Sequence, residues 1–146
     1  MTTITVGGHK FELSYKFFKE YYRDELKSFN LPHYAYRVYV KRLDMSTPIQ
    51  TSFLFHTSNH DWQQGKQSMD KNEIIGAFYC FLGDAHTGNM SLEEFLREFG
   101  YEYNRESVRI YNACKRSLDK MENLGIFESE IVDMLNEIQE KYPHSV

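Results

Sequence analysis

SLEEFLREFGYEYNRESVRIYNACKRSLDKMENL, residues 91–124, reads as two amphipathic helices joined by a tight break. Ser91 and Glu94 have the spacing of a capping box, in which each side chain satisfies a free backbone N–H of the other. Leu92, Phe95, Leu96 and Phe99 recur at i, i+3, i+4 and i+7, which predicts one apolar stripe. Gly100 stops that helix, because it takes a left-handed backbone cheaply. Tyr101-Glu102-Tyr103 bridges to Asn104, a good N-cap for the second helix. There Val108, Ile110, Tyr111, Cys114, Leu118, Met121 and Leu124 form the apolar positions, and Gly125 ends the run. Arg105, Glu106, Arg109, Lys115, Arg116, Asp119, Lys120 and Glu122 form a mixed-charge outer face.

The flanking segments are shorter pieces that need such a surface to pack on. Thr2 to Leu13 predicts a β-hairpin, with Gly7-Gly8 as its turn. Phe18, Tyr22, Leu26 and Phe29 give helical spacing over 15–29, stopped by Pro32. Residues 34–43 alternate and are rich in Tyr and Val, the clearest strand, and 49–57 reads as its antiparallel partner. Residues 58–68 read as a polar loop, in which Trp62, the single Trp, plugs the core. Asp70 and Glu73 form a second capping box, with Met69 and Ile74 as its staple. Ile74, Ile75, Phe78, Phe81 and Leu82 make the helix that follows apolar on most sides, so it should be the most buried. A loop is expected over 83–89 and a last helix over 128–142, with Ile131, Val132, Leu135 and Ile138 inward. The fold class is therefore α+β: a small antiparallel sheet packed against a layer of four to five helices. With 146 residues the chain suits one domain. Residues 34–142 form the core, and the hairpin and helix of 1–31 read as an added element.

Charge is unevenly spread along a chain of net charge −4. Residues 1–66 carry nine Lys/Arg and six Asp/Glu, or +3, and residues 67–146 carry eight and fifteen, or −7. Such a chain is no general binder of polyanions. Glu93, Glu94, Glu98, Glu102 and Glu106 cluster around the Gly100 break. They could meet a basic groove on a protein partner by charge complementarity. On strand 34–42, Tyr36, Arg37, Tyr39 and Lys41 offer rings and cations that can hold single-stranded nucleic acid.

Chemistry finds less support. Residues 84–95, DAHTGNMSLEEF, resemble a calcium loop between two helices, but His86 and Gly88 stand where oxygen ligands are needed. His56, His60 and Asp61 lack the helical setting that would make a zinc site. No phosphate loop or nucleophile elbow is present. Cys80 and Cys114 lie in apolar helical patterns and read as reduced, buried and structural. No metal, no cofactor and no catalytic residue is expected, and the chain reads as a non-enzyme. No apolar run has the length of a membrane span and no leader is evident, so a cytoplasmic protein is expected. Exposed tyrosines offer a surface for a homodimer.

From about residue 34 onward the chain resembles a group of small proteins of bacteriophages, prophages and integrative elements, whose activity is unassigned. The resemblance rests on Ser91, Glu93, Glu94, Phe95, Glu98, Phe99, Gly100, Tyr101, Asn104, Ser107, Tyr111, Ala113 and Cys114. Most of these are caps and core positions, so the resemblance carries a fold and a genomic setting. It implies a binding protein acting in a bacterial host cell on a host or phage protein, such as a nuclease or CRISPR-type defence complex.

Overall fold

The computed structural model describes residues 1–21, 32–56 and 68–143. Four strands come first: β1 (Thr2–Val6), β2 (His9–Tyr21), β3 (Pro32–Arg42) and β4 (Ile49–His56). They form one antiparallel meander in the order β1-β2-β3-β4. Gly7 and Gly8 have φ of 60° and 77°. That left-handed pair is what a two-residue hairpin turn needs, and it pairs Val6 with His9. The Thr2↔Leu13, Phe11↔Arg42 and Arg42↔Ile49 pairings then fix the register of the whole sheet.

That register sends alternate residues to opposite faces. Ile4, Val6, Phe11, Leu13, Tyr36, Val38, Val40 and Phe53 are buried on one face. Lys10, Glu12, Ser14, Lys16, Arg37, Tyr39, Lys41, Gln50, Ser52 and Leu54 take the other, where none is fully buried. A helix does not begin at Tyr15. Tyr15 and Phe17 continue the period-2 pattern of Phe11 and Leu13, pair with Val38 and Tyr36, and pack against the core. Ladder pairing and a buried face outweigh the helical spacing of Phe18 and Tyr22. The rest of that expected helix, residues 22–29, lies outside the described residues. So do His60, Asp61, Trp62 and nearly all of the expected polar loop.

Four helices follow: α1 (Lys71–Gly88), α2 (Leu92–Phe99), α3 (Arg105–Asn123) and α4 (Glu128–Lys141). Asp70 caps α1 in a full capping box with Glu73, and Met69 and Ile74 are both buried beside it. Ile75, Phe78, Phe81 and Leu82 of α1 carry the core against the sheet. Phe81 stacks on Phe53 with centroids 4.4 Å apart, and Phe78 meets Phe11 at 5.3 Å. Met121, Leu124, Ile126, Ile131, Met134 and Ile138 complete this core from α3, its following turn and α4. Ile4, Val6, Phe11 and Leu13 of the hairpin belong to this same core. At about 25 cal/mol per Å² of apolar surface removed from water, such a continuous layer is the main stabilising contribution.

Helix α1 also runs through residues 83–88, where a loop was expected. Ala85 is buried and Gly88 lies directly against the Cys114 backbone, so close packing on α3 extends the helix. Asp84 and His86 are therefore helical and cannot belong to a calcium loop. Val132 faces outward on α4, while Met134 takes the inward position at the i+3 spacing from Ile131. Cys114 is buried as expected, but Cys80 is exposed.

Candidate functional site: an acidic aromatic corner between α2 and α3

The corner is built by its caps. The Ser91 hydroxyl accepts a hydrogen bond from Glu94 N–H at 3.1 Å, but the Glu94 carboxylate does not return one to Ser91. Gly100 has φ 68°, and Tyr101 N–H donates to the Leu96 carbonyl at 2.9 Å. That left-handed C-cap turns the chain sharply. Asn104 and Ser107 then cap α3 reciprocally, at 2.9 and 3.1 Å. The buried Ser107 hydroxyl also contacts the Glu102 carbonyl at 2.8 Å, which pins the connecting residues.

Beneath the corner, Phe95 is buried and contacts Phe99, Tyr101 and Tyr111, with centroids 5.3–5.5 Å apart. The Tyr111 hydroxyl donates to the Met90 carbonyl. Phe95 and Tyr111 pack together outside the main core, so α2 is held chiefly by α3. Phe99 was expected in the buried stripe, yet it is 49% exposed. Tyr101 is 45% exposed and Tyr103 75%. No described element packs over them, because an eight-residue helix on one neighbour can bury little more than Phe95.

Glu93, Glu94, Glu98, Glu102 and Glu106 are all exposed, as the charge pattern predicts. None forms an ion pair with a described residue. The corner thus combines unshielded carboxylates with large exposed rings. Exposed rings with a polar rim are the composition of protein interfaces rather than of catalytic sites. Tyr101 and Tyr103 could have been found from sequence, as a Tyr-x-Tyr beyond a glycine stop with no apolar partner at helical spacing.

The strand residues divide. Tyr36 does not join Arg37, Tyr39 and Lys41. It is 2% exposed on the core face, between Tyr15 and Phe17 at 5.5 and 5.4 Å. Alternation requires this, since even and odd positions of one strand cannot share a face. Arg37, Tyr39 and Lys41 do lie together on the outer face, half-buried by their neighbours.

The structure adds polar groups that sequence reading missed. Lys120, on α3, reaches the β4 edge and donates to the Ser52 carbonyl at 2.8 Å, across 68 positions of sequence. Burial holds its pKa below the ordinary lysine value, and the charges of Arg37 and Arg116 lower it further. At the other end of the sheet, His9, Arg42, Asp44 and Glu130 form a network from three separate segments. Such meetings depend on topology, so no local pattern announces them. Burial, aided by the Asp84 charge, pushes the Cys114 thiol up to about 11, which makes it a poor nucleophile. Among the described residues no cluster of three or more His, Cys, Asp or Glu can hold a metal ion, and no helix is long and apolar enough to cross a membrane.

No protein-family model, no curated protein and no solved structure matches this chain.

Proposed function

We propose that the chain is a non-enzymatic binding protein whose contact surface is the α2–α3 corner. One observation carries the reading: Phe99, Tyr101 and Tyr103 are exposed together among the unpaired carboxylates of Glu98, Glu102 and Glu106. Aromatics supply most of the affinity in a protein interface, and a charged rim sets orientation and on-rate. The matching partner is a protein with a cationic groove that has apolar pockets within it, as nucleic-acid-handling proteins have. The resemblance to proteins of phages and integrative elements favours a bacterial partner, with inhibition of a nuclease or CRISPR-type complex as the outcome. The test is a pull-down from bacterial lysate treated with nuclease, using wild type beside Phe99→Ser/Tyr103→Ser and Glu98→Lys/Glu102→Lys variants. A stoichiometric partner lost by both variants, each with a wild-type melting curve, is expected. Equal capture by wild type and variants removes the corner from the function.

A second reading has its own observation. Arg37, Tyr39 and Lys41 share the outer sheet face with Lys10 and Lys16, and Glu12 is the acidic residue facing them across the Lys41 pairing. Helices α1, α3 and α4 pack on the opposite face. A basic, aromatic sheet face suits single-stranded nucleic acid. It predicts binding that weakens steeply as salt rises, and absence of binding at low salt rules it out.

A further inference from the structure

Two cations from different elements converge on a single residue at the edge of the sheet. Arg37 Nη1 donates to the Ser52 hydroxyl at 3.1 Å, and Lys120 Nζ donates to the Ser52 carbonyl at 2.8 Å. Arg116 lies one helical turn before Lys120 and is close enough for its charge to act on it. Among the described residues, no carboxylate pairs with any of the three. Beside them lies a shallow concavity of about 420 Å³, lined by Tyr39, Gln50, Thr51, Ser52 and Lys120. Among the described residues β4 is an edge strand, so the concavity opens where its backbone groups meet no further described strand.

Holding the like charges of Arg37 and Lys120 on one residue without a counter-charge is unfavourable in a partly desolvated site. Two other cations have a carboxylate partner, Arg42 with Asp44 and Lys141 with Glu137. At the notch α3 brings the Lys120 charge onto the sheet edge without such a partner among the described residues. An oxyanion placed between Arg37 and Lys120 would supply the missing charge. Arg offers a planar fork and Lys a compact point charge, a combination suited to phosphate oxygens. Tyr39 provides a ring beside that position, and the Gln50 and Ser52 side chains provide neutral hydrogen-bonding groups.

We propose that the notch formed by Arg37, Ser52 and Lys120 binds a phosphate group, with Tyr39 contacting the organic moiety that carries it. The group would come either from a nucleic-acid strand or from a small phosphate ester. This site is distinct from the α2–α3 corner. It uses two face residues of the second reading, Arg37 and Tyr39, but its centre lies on α3 and β4.

The test is a titration of the isotope-labelled full chain, followed by nuclear magnetic resonance. The probes are inorganic phosphate, adenosine monophosphate and a single-stranded DNA or RNA of about 12 nucleotides. Shifts at the Thr51, Ser52 and Lys120 amides are expected. Shifts with the monophosphate but not the strand assign a small ester, and shifts with the strand assign nucleic acid. Arg116→Glu, at an exposed helical position, should weaken binding by roughly tenfold without changing the melting temperature. Lys120→Ala should do the same and serves as the second variant. If none of the probes shifts these amides at millimolar concentration, the proposal is overturned. If a strand binds but only Lys10→Glu and Lys41→Glu weaken it, the open-face reading survives and the notch does not.

Discussion

His9 Nε2 lies 2.9 Å from Glu130 Oε1, which joins the start of β2 to the first turn of α4 across 121 positions of sequence. A carboxylate can only accept, so Nε2–H donates to Glu130, while Nδ1 faces Arg42 Nη2 at 2.9 Å and Asp44 Oδ2 at 3.4 Å. Arg42 also donates to Asp44 at 2.8 Å and to the Leu124 carbonyl at 2.7 Å. Next to it, Gly7 N–H donates to Glu137 at 2.7 Å. The last helix is therefore latched to the hairpin by carboxylates that accept from fixed donors.

Acid should release this latch. The hydrogen bond from His9 holds the Glu130 carboxyl below its ordinary value, and the one from Lys141 does so for Glu137. Arg42 holds Asp44 well below the usual carboxylate range. A carboxylate whose folded pKa is depressed stabilises the fold fully above its unfolded pKa, and loses that contribution as pH falls through the folded value. Thermal stability should thus be flat near neutrality and decline once pH drops below about 5. Glu130→Gln should flatten the decline. Parallel melting-temperature curves for wild type and variant, followed by circular dichroism from neutral to acid pH, would show that Glu130 contributes nothing to the latch.

Two glycines of α1 make a matched pair. A Cβ on Gly88 would collide with the Cys114 carbonyl, and backbone there cannot move aside as a side chain can. Gly88→Ala should therefore destabilise by about 1–3 kcal/mol. A Cβ on Gly83 would meet nothing within 4 Å, and Gly83 sits inside the helix. Gly83→Ala should stabilise by roughly 0.5–1 kcal/mol, by reducing the freedom of the unfolded chain. Urea unfolding of both variants checks the signs. A stable Gly88→Ala protein would mean that the α1–α3 crossing is looser than this packing implies.

The thiols should differ in the same way as their surroundings. Cys80 is exposed on α1, whereas Cys114 is buried; burial raises both thiols, that of Cys114 to about 11. With iodoacetamide near neutral pH, intact-mass analysis should show one adduct, mapped to Cys80, while the protein is folded. A second adduct at Cys114 should follow only in denaturant. Equal labelling of both residues in the folded state would contradict the burial of Cys114.

Local signals carried the fold further than the site. The caps at Asp70, Ser91 and Asn104, the stop at Gly100 and the turn at Gly7-Gly8 each act within a few residues, so spacing alone reveals them. The boundary errors fall where distant contacts decide. Tyr15 and Phe17 are strand residues because of β3, and residues 84–88 are helical because Gly88 meets Cys114. The exposure of Phe99 escaped for a related reason: an amphipathic stripe shows which side could be buried, but not how much neighbour exists to bury it. The charge pattern groups five carboxylates around the Gly100 break, and all five are exposed there. Lys120 and Ser52 could not be linked before the topology was known.

The two tyrosines of β3 carry that lesson into a final experiment. Tyr36 and Tyr39 are three positions apart and read alike in a basic aromatic strand. Their faces make them opposites. Tyr36 packs between Tyr15 and Phe17 in the core, so Tyr36→Ala should cost about 3–5 kcal/mol, the range for removing a buried aromatic. Tyr39 lines the concavity at the β4 edge with no ring stacked upon it among the described residues. Tyr39→Ala should leave stability within about 1 kcal/mol of wild type, and it should weaken whatever the notch holds. Denaturant unfolding reads the first effect, and the amide titration with phosphate esters reads the second. If Tyr39→Ala unfolds the protein as readily as Tyr36→Ala, the ring is structural and the outer face is not a free surface. If it is stable and the titration is unchanged, the notch recognises the phosphate alone.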